Sequence, residues 1–354
     1  MKGLILSGGD GTRLRPITHT SAKQLVPIAN KPILFYGIEA MAAAGITEIG
    51  IVVGDTADEI RDVVGDGSQW GVSITYLHQE APLGLAHCVL IARGFLGYEA
   101  FLMLLGDNML EQELADFLEG FNPVPPNKTA ARVLLKKVEN PSAFGVAEIG
   151  ADGCVEQLVE KPEIPASDLA LVGVYLFGQA IHDAVRAIKP SERGELEITD
   201  AIQWLIDEGL SVEHREIEGW WIDTGKKDPL LTCNRLVLDT IETFNDGDLT
   251  DTICDGSIRI EAGARVSGSV LNGPLVIGRN AEVVDSRLGP YVSVGDDSRV
   301  LSSVIDNSVL LSGVIVDNVD RITNSLIGQE AEVRGPTNTP MRLMLGDHSI
   351  VELD

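Results

Sequence analysis

Near the end of the chain an aliphatic residue, a glycine, two variable residues and a small residue recur in that order. The pattern stands at Ile277-Gly278-Arg279-Asn280-Ala281, at Val294-Gly295-Asp296-Asp297-Ser298 and at Ile327-Gly328-Gln329-Glu330-Ala331, with weaker copies at Ile260 and Leu288. Leu288 to Val294 is one six-residue step. A period of six turns one aliphatic side chain inward on each flat face of a three-sided coil and puts a small residue at the tight corner, so that stacked coils share a core. Residues 251–354 are therefore expected to form a left-handed parallel β-helix. A β-sandwich also alternates short strands with turns, but at a period of about 8–12 residues and with more aromatic residues. From Asp251 on this chain has one Tyr and no Phe, Trp or Lys.

Upstream the rhythm differs. Short aliphatic runs at 4–6, 49–53, 101–105 and 172–177 alternate with helical patterns such as 33–44 and 197–208. That alternation predicts an α/β domain over residues 1–240, Rossmann-like, with a mostly parallel sheet and helices on both faces. With 354 residues, 44% of them hydrophobic, two domains are expected.

Composition excludes several classes of function. A formal charge of −26 repels nucleic acid and anionic lipid, and no basic patch offsets it. Cys88, Cys154, Cys233 and Cys254 lie far apart with no CxxC or Cys/His spacing, which argues against zinc and against a disulfide framework. No apolar run reaches the roughly 20 residues of a membrane span, and the N-terminus enters a strand pattern without a leader. A soluble, cytoplasmic protein is expected.

The first strand leads into "KGLILSGGDGTRLRPIT", residues 2–18. A glycine-rich turn between strand and helix exposes backbone N–H groups to phosphates. A P-loop would need Gly-Lys-Ser/Thr where Gly11-Thr12-Arg13 stands, and a dinucleotide fingerprint a third glycine where Leu14 stands, so both fail. What remains is Gly8-Gly9-Asp10-Gly11-Thr12-Arg13 with Lys23 ten residues on. Amides and two cations suit a nucleoside triphosphate; a tight structural turn with solvated cations is the alternative.

"LSGGDGTRLRPIT" with "AKQLVPIANKP" resembles the signature of the sugar-phosphate nucleotidylyltransferases. "GDGSQWG" (65–71), "LLGDN" (104–108), "EKP" (160–162), "RGELEITDAI" (193–202) and "WIDTG" (221–225) resemble the glucose-1-phosphate thymidylyltransferases, in register over residues 1 to about 235. With the repeat tail, the chain is similar to the long form of that family. The resemblance implies Mg²⁺-dependent, in-line transfer of a nucleotidyl group from dTTP to glucose 1-phosphate. It gives catalytic roles to Arg13, Lys23 and Lys161, and nucleotide contacts to Gly8, Gly9, Gly11, Thr12, Gln24, Gln79 and Gly84. Asn108, Gly145, Glu160 and Val172 fall to the sugar phosphate, and Asp107 and Asp223 to the metal. Two bare carboxylates beside a phosphate would each be repelled by about 4 kcal/mol at about 4 Å with an effective dielectric near 20, which is why a cation is needed between them.

Gln79, in "LHQEAPLGLAHC" (77–88), is expected to pair with the O4 and N3–H edge of thymine, an edge that uracil shares. Leu83 stands where short-form thymidylyltransferases commonly have Asp, so a UTP-using uridylyltransferase stays open. His78 and His87 are given no role, since a lone His beside a strand or helix is more often packed or solvated. A non-catalytic sugar-nucleotide sensor is the other alternative, yet Arg13, Lys23, Asp107, Lys161 and Asp223 all stand. The tail lacks the base an acyltransferase needs, having His348 alone among histidines. Its expected role is self-association into a homo-oligomer, and its removal is expected to leave transfer measurable.

Overall fold

The computed structural model describes residues 1–9, 11–19, 21–123, 129–336 and 339–353; Asp10 of the glycine loop lies outside them. By compactness the chain divides into two units, Met1–Asp10 with Leu34–Trp221, and Gly11–Ile33 with Ile222–Asp354.

The first unit is built on a nine-stranded sheet. β1 (Lys2–Ser7) lies between β2 (Glu48–Val53) and β4 (Phe101–Leu105), parallel to both, with Leu4 opposite Gly50 on one side and Met103 on the other; β3 (Ser73–His78) extends the parallel half beyond β2. Leu4, Ile5, Ile49, Ile51 and Leu102 are wholly buried, as expected of parallel strands covered on both faces.

The other half of the sheet is largely antiparallel. β8 (Leu169–Phe177) pairs antiparallel with β4, with β5 (Thr129–Lys137) and with β6 (Gly145–Ile149); β6 pairs antiparallel with β7 (Val155–Glu160), and β9 (Ser211–Glu216) lies parallel to β5. The expectation of a mostly parallel sheet thus holds for β1 to β4, and in the other half the β5–β9 pair alone among the described strands is parallel. A parallel return needs a crossover of about a dozen residues or more, and the turn between Ile149 and Val155 is too short for one.

In the second unit three stacks of short parallel strands form the faces of a coil, two of seven strands and one of five among the described residues. Ile258, Leu275 and Val292 stand in one register line, seventeen residues apart, so each coil holds about three six-residue steps. The arrangement is the expected parallel β-helix and is consistent with a left-handed one. Ile258, Ile260, Leu275, Ile277, Val292 and Val294 fill its interior. The small residue of each repeat, Ala281, Ser298 or Ala331, is wholly buried at a corner, and the residue before it, Asn280, Asp297 or Glu330, has a positive φ.

Serines finish other corners. The hydroxyl of Ser269 accepts from Ser286 N at 3.1 Å, that of Ser286 from Ser303 N at 3.1 Å, and that of Ser303 from Val319 N at 2.9 Å. Backbone amides that turn inward at these bends are thereby satisfied, which buried N–H groups require.

Candidate active site

In the first unit Gly8 follows β1 directly. An ideal Cβ placed on it would stand 3.1 Å from Oε1 of Gln79, so the absent side chain leaves the carboxamide oxygen its space. Gln79 is buried, held at the end of β3 by a 2.8 Å bond from its N–H to the carbonyl of Val53. Its side-chain nitrogen donates to the carbonyl of Gly84 at 3.3 Å and lies 3.0 Å from Nδ1 of His87. Gly84 has φ +98°, and a Cβ there would run into the backbone of Leu196, so only glycine fits. The side-chain nitrogen of Gln79 thus faces Gly84 and His87, while its oxygen faces the space left by Gly8.

Asp107 follows β4 at the carboxyl end of the parallel strands, the usual place of a ligand crevice in such sheets. Asp107 is 8% exposed, and its carboxylate accepts from Nδ2 of Asn108 at 3.1 Å. Asn108 Oδ1 accepts in turn from the indole N–H of Trp221 at 2.6 Å. Trp221 meets Phe144 edge-on, the ring centroids 5.1 Å apart. The indole therefore sets the Asn108 amide so that its nitrogen faces Asp107.

Glu160, the last residue of β7, lies opposite Gly145. Thr199 Oγ1 donates to it at 3.3 Å, Arg193 at 3.3 Å, and Lys161 Nζ stands 3.2 Å away. Lys161 adopts φ +42° and its N–H donates to Phe144 O at 3.0 Å, which turns its exposed side chain away from the strand direction. Arg193 also bonds Glu197 at 2.8 Å. Burial, then the negative charges of Glu197 and Glu160, push the nearby Asp200 carboxyl above the usual range. A Cβ on Gly145 would meet Thr199 and Leu171, so packing alone demands glycine. Val172 is wholly buried.

In the second unit Gly11 has φ +61°, and its carbonyl accepts from Thr18 Oγ1 at 2.6 Å. A Cβ there would crowd the Cβ of Lys23 at 2.9 Å, so the tight turn and the cation are packed as one piece. Thr12 and Arg13 open a short 3₁₀ turn and are exposed. Gln24 is buried, and its side-chain oxygen has no hydrogen-bond partner among the described residues. Arg13 reaches Oδ2 of Asp223 at 3.4 Å, while Asp223 Oδ1 accepts from Gly225 N at 2.9 Å.

Among the described residues no three His, Cys, Asp or Glu side chains form a ready-made metal cage. Asp107 and Asp223 are single hard oxygen donors. A divalent cation that takes its other ligands from phosphate and water fits donors of that kind.

Sequence reasoning assigned Glu160 but not the Arg193 and Thr199 that hold it, nor the Glu197 that holds Arg193. His87 and Trp221 were also missed, and nothing in their own spacing pointed to them.

A model of the nucleotidyl transferase family matches residues 2–240. The chain belongs to this family. It is 52% identical to glucose-1-phosphate thymidylyltransferase of Streptomyces antibioticus and 53% identical to that of Streptomyces griseus, each over 100% of this chain and 99% of the relative. The crystal structure of a Bacillus anthracis glucose-1-phosphate thymidylyltransferase in complex with sucrose superposes with a TM-score of 0.63 at 34% identity, covering 69% of this chain and 98% of that one. The repeat tail is thus shared with full-length relatives, and the nucleotidyl transferase fold is what the solved structure has in common with it. Nucleotidyl transferases of this family generally use a divalent metal. Among the described residues no helix is long and apolar enough to cross a membrane.

Proposed function

We propose that this chain transfers the thymidylyl group of dTTP to the phosphate of glucose 1-phosphate, yielding dTDP-glucose and pyrophosphate. The observation that carries this reading is identity above half with two thymidylyltransferases over the whole chain, with Arg13, Lys23, Asp107, Lys161 and Asp223 all in place.

A phosphate oxygen of the sugar phosphate attacks the α-phosphorus of dTTP, and the bond to the β-phosphate breaks in line with it. Such a reaction needs positioning and charge stabilisation more than a strong base. Arg13 and Lys23, on the turn fixed by Gly11, carry positive charge to the triphosphate and the leaving pyrophosphate, with Gly8, Gly9, Gly11 and Thr12 offering backbone to it. Lys161 binds the sugar phosphate, and Glu160, held by Arg193 and Thr199, accepts from sugar hydroxyls, with Asn108, Gly145 and Val172 beside them. Gln79 and Gly84 receive the base, and Gln24 its nucleoside. Asp107 and Asp223 would hold Mg²⁺, which when bound offsets the charge of the phosphates.

In the same reading residues 1–240 form the transferase domain and 251–354 a β-helix by which copies associate. Ile253 of its first coil is exposed, as are Phe244 and Leu249 on the short strands that lead into it. Four free cysteines accord with a reducing cytoplasm.

The reading is tested by pyrophosphate release across nucleoside triphosphates and sugar 1-phosphates. Release with dTTP and glucose 1-phosphate is expected, and absence of release with every pair would leave the sensor alternative.

A further inference from the structure

We infer that His87 is a specificity-determining residue, which fixes the side-chain amide of Gln79 so that its oxygen alone meets the base. The inference rests on the reading of Gln79 as the base contact.

An amide can be turned end for end, and its neighbours decide which end is nitrogen. Here the deciding neighbour is the carbonyl of Gly84, 3.3 Å away, which can only accept. The same atom, therefore Nε2, lies 3.0 Å from Nδ1 of His87, so Nδ1 must accept and the imidazole proton sits on its Nε2. Cys88 donates its thiol to the same Gly84 carbonyl at 3.6 Å, and its sulfur is a further, weak acceptor in reach of the Gln79 amide on that same side. Both acceptors are fixed in place. Leu196 N donates to Leu83 O at 2.8 Å and Ala86 N donates to Leu196 O at 3.0 Å, which clamps the loop from both sides of Gly84.

With two hydrogens and two acceptors, the amide nitrogen has nothing left to donate. The oxygen faces the space that Gly8 leaves by lacking a side chain. A base read by that oxygen must present an N–H. Thymine and uracil do so at N3; cytosine presents a lone pair there and is repelled. His87 thereby accounts for rejection of cytosine, and it does so without touching the nucleotide. A donor in its place would set the second amide contact against the Gly84 carbonyl and weaken the preference.

The test measures kcat/KM for dTTP and for dCTP, each with glucose 1-phosphate, in the intact chain. His87→Leu should lower the dTTP/dCTP ratio by about tenfold or more, His87→Gln, which can still accept, should keep it within about threefold, and His87→Lys should raise absolute turnover of dCTP. A general loss of structure would lower both substrates together and leave the ratio alone. An unchanged ratio in His87→Leu and His87→Lys, alongside a collapsed ratio in Gln79→Leu, would overturn the role of His87 and leave Gln79 as the reader. A ratio unmoved by Gln79→Leu as well would remove the reading on which the inference stands.

Discussion

The hydroxyl of Ser293, inside a strand of the β-helix, donates to Oδ1 of Asn234 at 2.9 Å, and the same oxygen accepts the N–H of Ala29 at 2.8 Å. Both side chains are buried, at 0% and 1% exposure. One carboxamide oxygen thus joins the helix Lys227–Leu238, a coil of the tail and the segment that carries Arg13 and Lys23. Asn30 Nδ2 adds a 2.6 Å bond to Val294 O, and Ser21 Oγ one of 3.3 Å to Asp347.

Removing one partner from such a buried group costs about 1–3 kcal/mol. Asn234→Leu is expected to lower unfolding free energy by about that amount, read from denaturant titration. Deleting residues 251–354 takes away Ser293, Val294 and Asp347 together. The expected outcome is loss of pyrophosphate release, in place of the surviving transfer expected when the tail is taken as a separate domain.

His182 lies buried with its ring stacked on Phe101, centroids 5.9 Å apart, and neither nitrogen has a partner among the described residues. Burial, and then Arg93 and Arg186, push its pKa down to about 4 from an ordinary 6.5. Above 6.5 the folded and unfolded chains are both neutral at this site. As pH falls through 6.5 towards 4 the unfolded chain gains a proton that the folded one refuses, so stability falls across that window, by about 3 kcal/mol in all. Thermal melts from pH 7 to pH 4 should show this decline, and His182→Leu should flatten it.

Asp107→Asn and Asp223→Asn should each leave the circular dichroism and melting temperature near those of the parent while abolishing turnover supported by Mg²⁺. Near-normal activity in both variants would refute the metal assignment.

Lys161→Ala keeps a Cβ and so leaves the backbone of "EKP" undisturbed. It should cost roughly 3 kcal/mol in kcat/KM, the size expected of one preorganised charge. The loss should follow the sugar phosphate. Kinetics unchanged in that substrate would mean that Lys161 serves only as the ion-pair partner of Glu160.

Local rules carried much of the fold. The six-residue repeat made the coils legible because each corner needs its small residue, as Ala281 and Ser298 show, but not their start, since strands Phe244–Asn245 and Asp248–Thr250 already stack on the coil before residue 251. The buried runs in β1 and β4 were legible as parallel strands, whereas the antiparallel half was not, because alternation of runs does not reveal which way a chain returns. In the site, Asp107 and Lys161 were proposed from motifs. Arg193 on Glu160, Trp221 on Asn108 and His87 on Gln79 were not assigned. The indole of Trp221, for one, meets Asn108 across 113 positions, and only the fold brings such partners together.

The most direct measurement of the whole account is initial-rate pyrophosphate release with glucose 1-phosphate and each of dTTP, UTP, dCTP, ATP and GTP. The account predicts the highest kcat/KM for dTTP, a lower one for UTP, which presents the same N3–H, and poor use of dCTP, ATP and GTP. A preference for a purine nucleotide, or for dCTP, would contradict it.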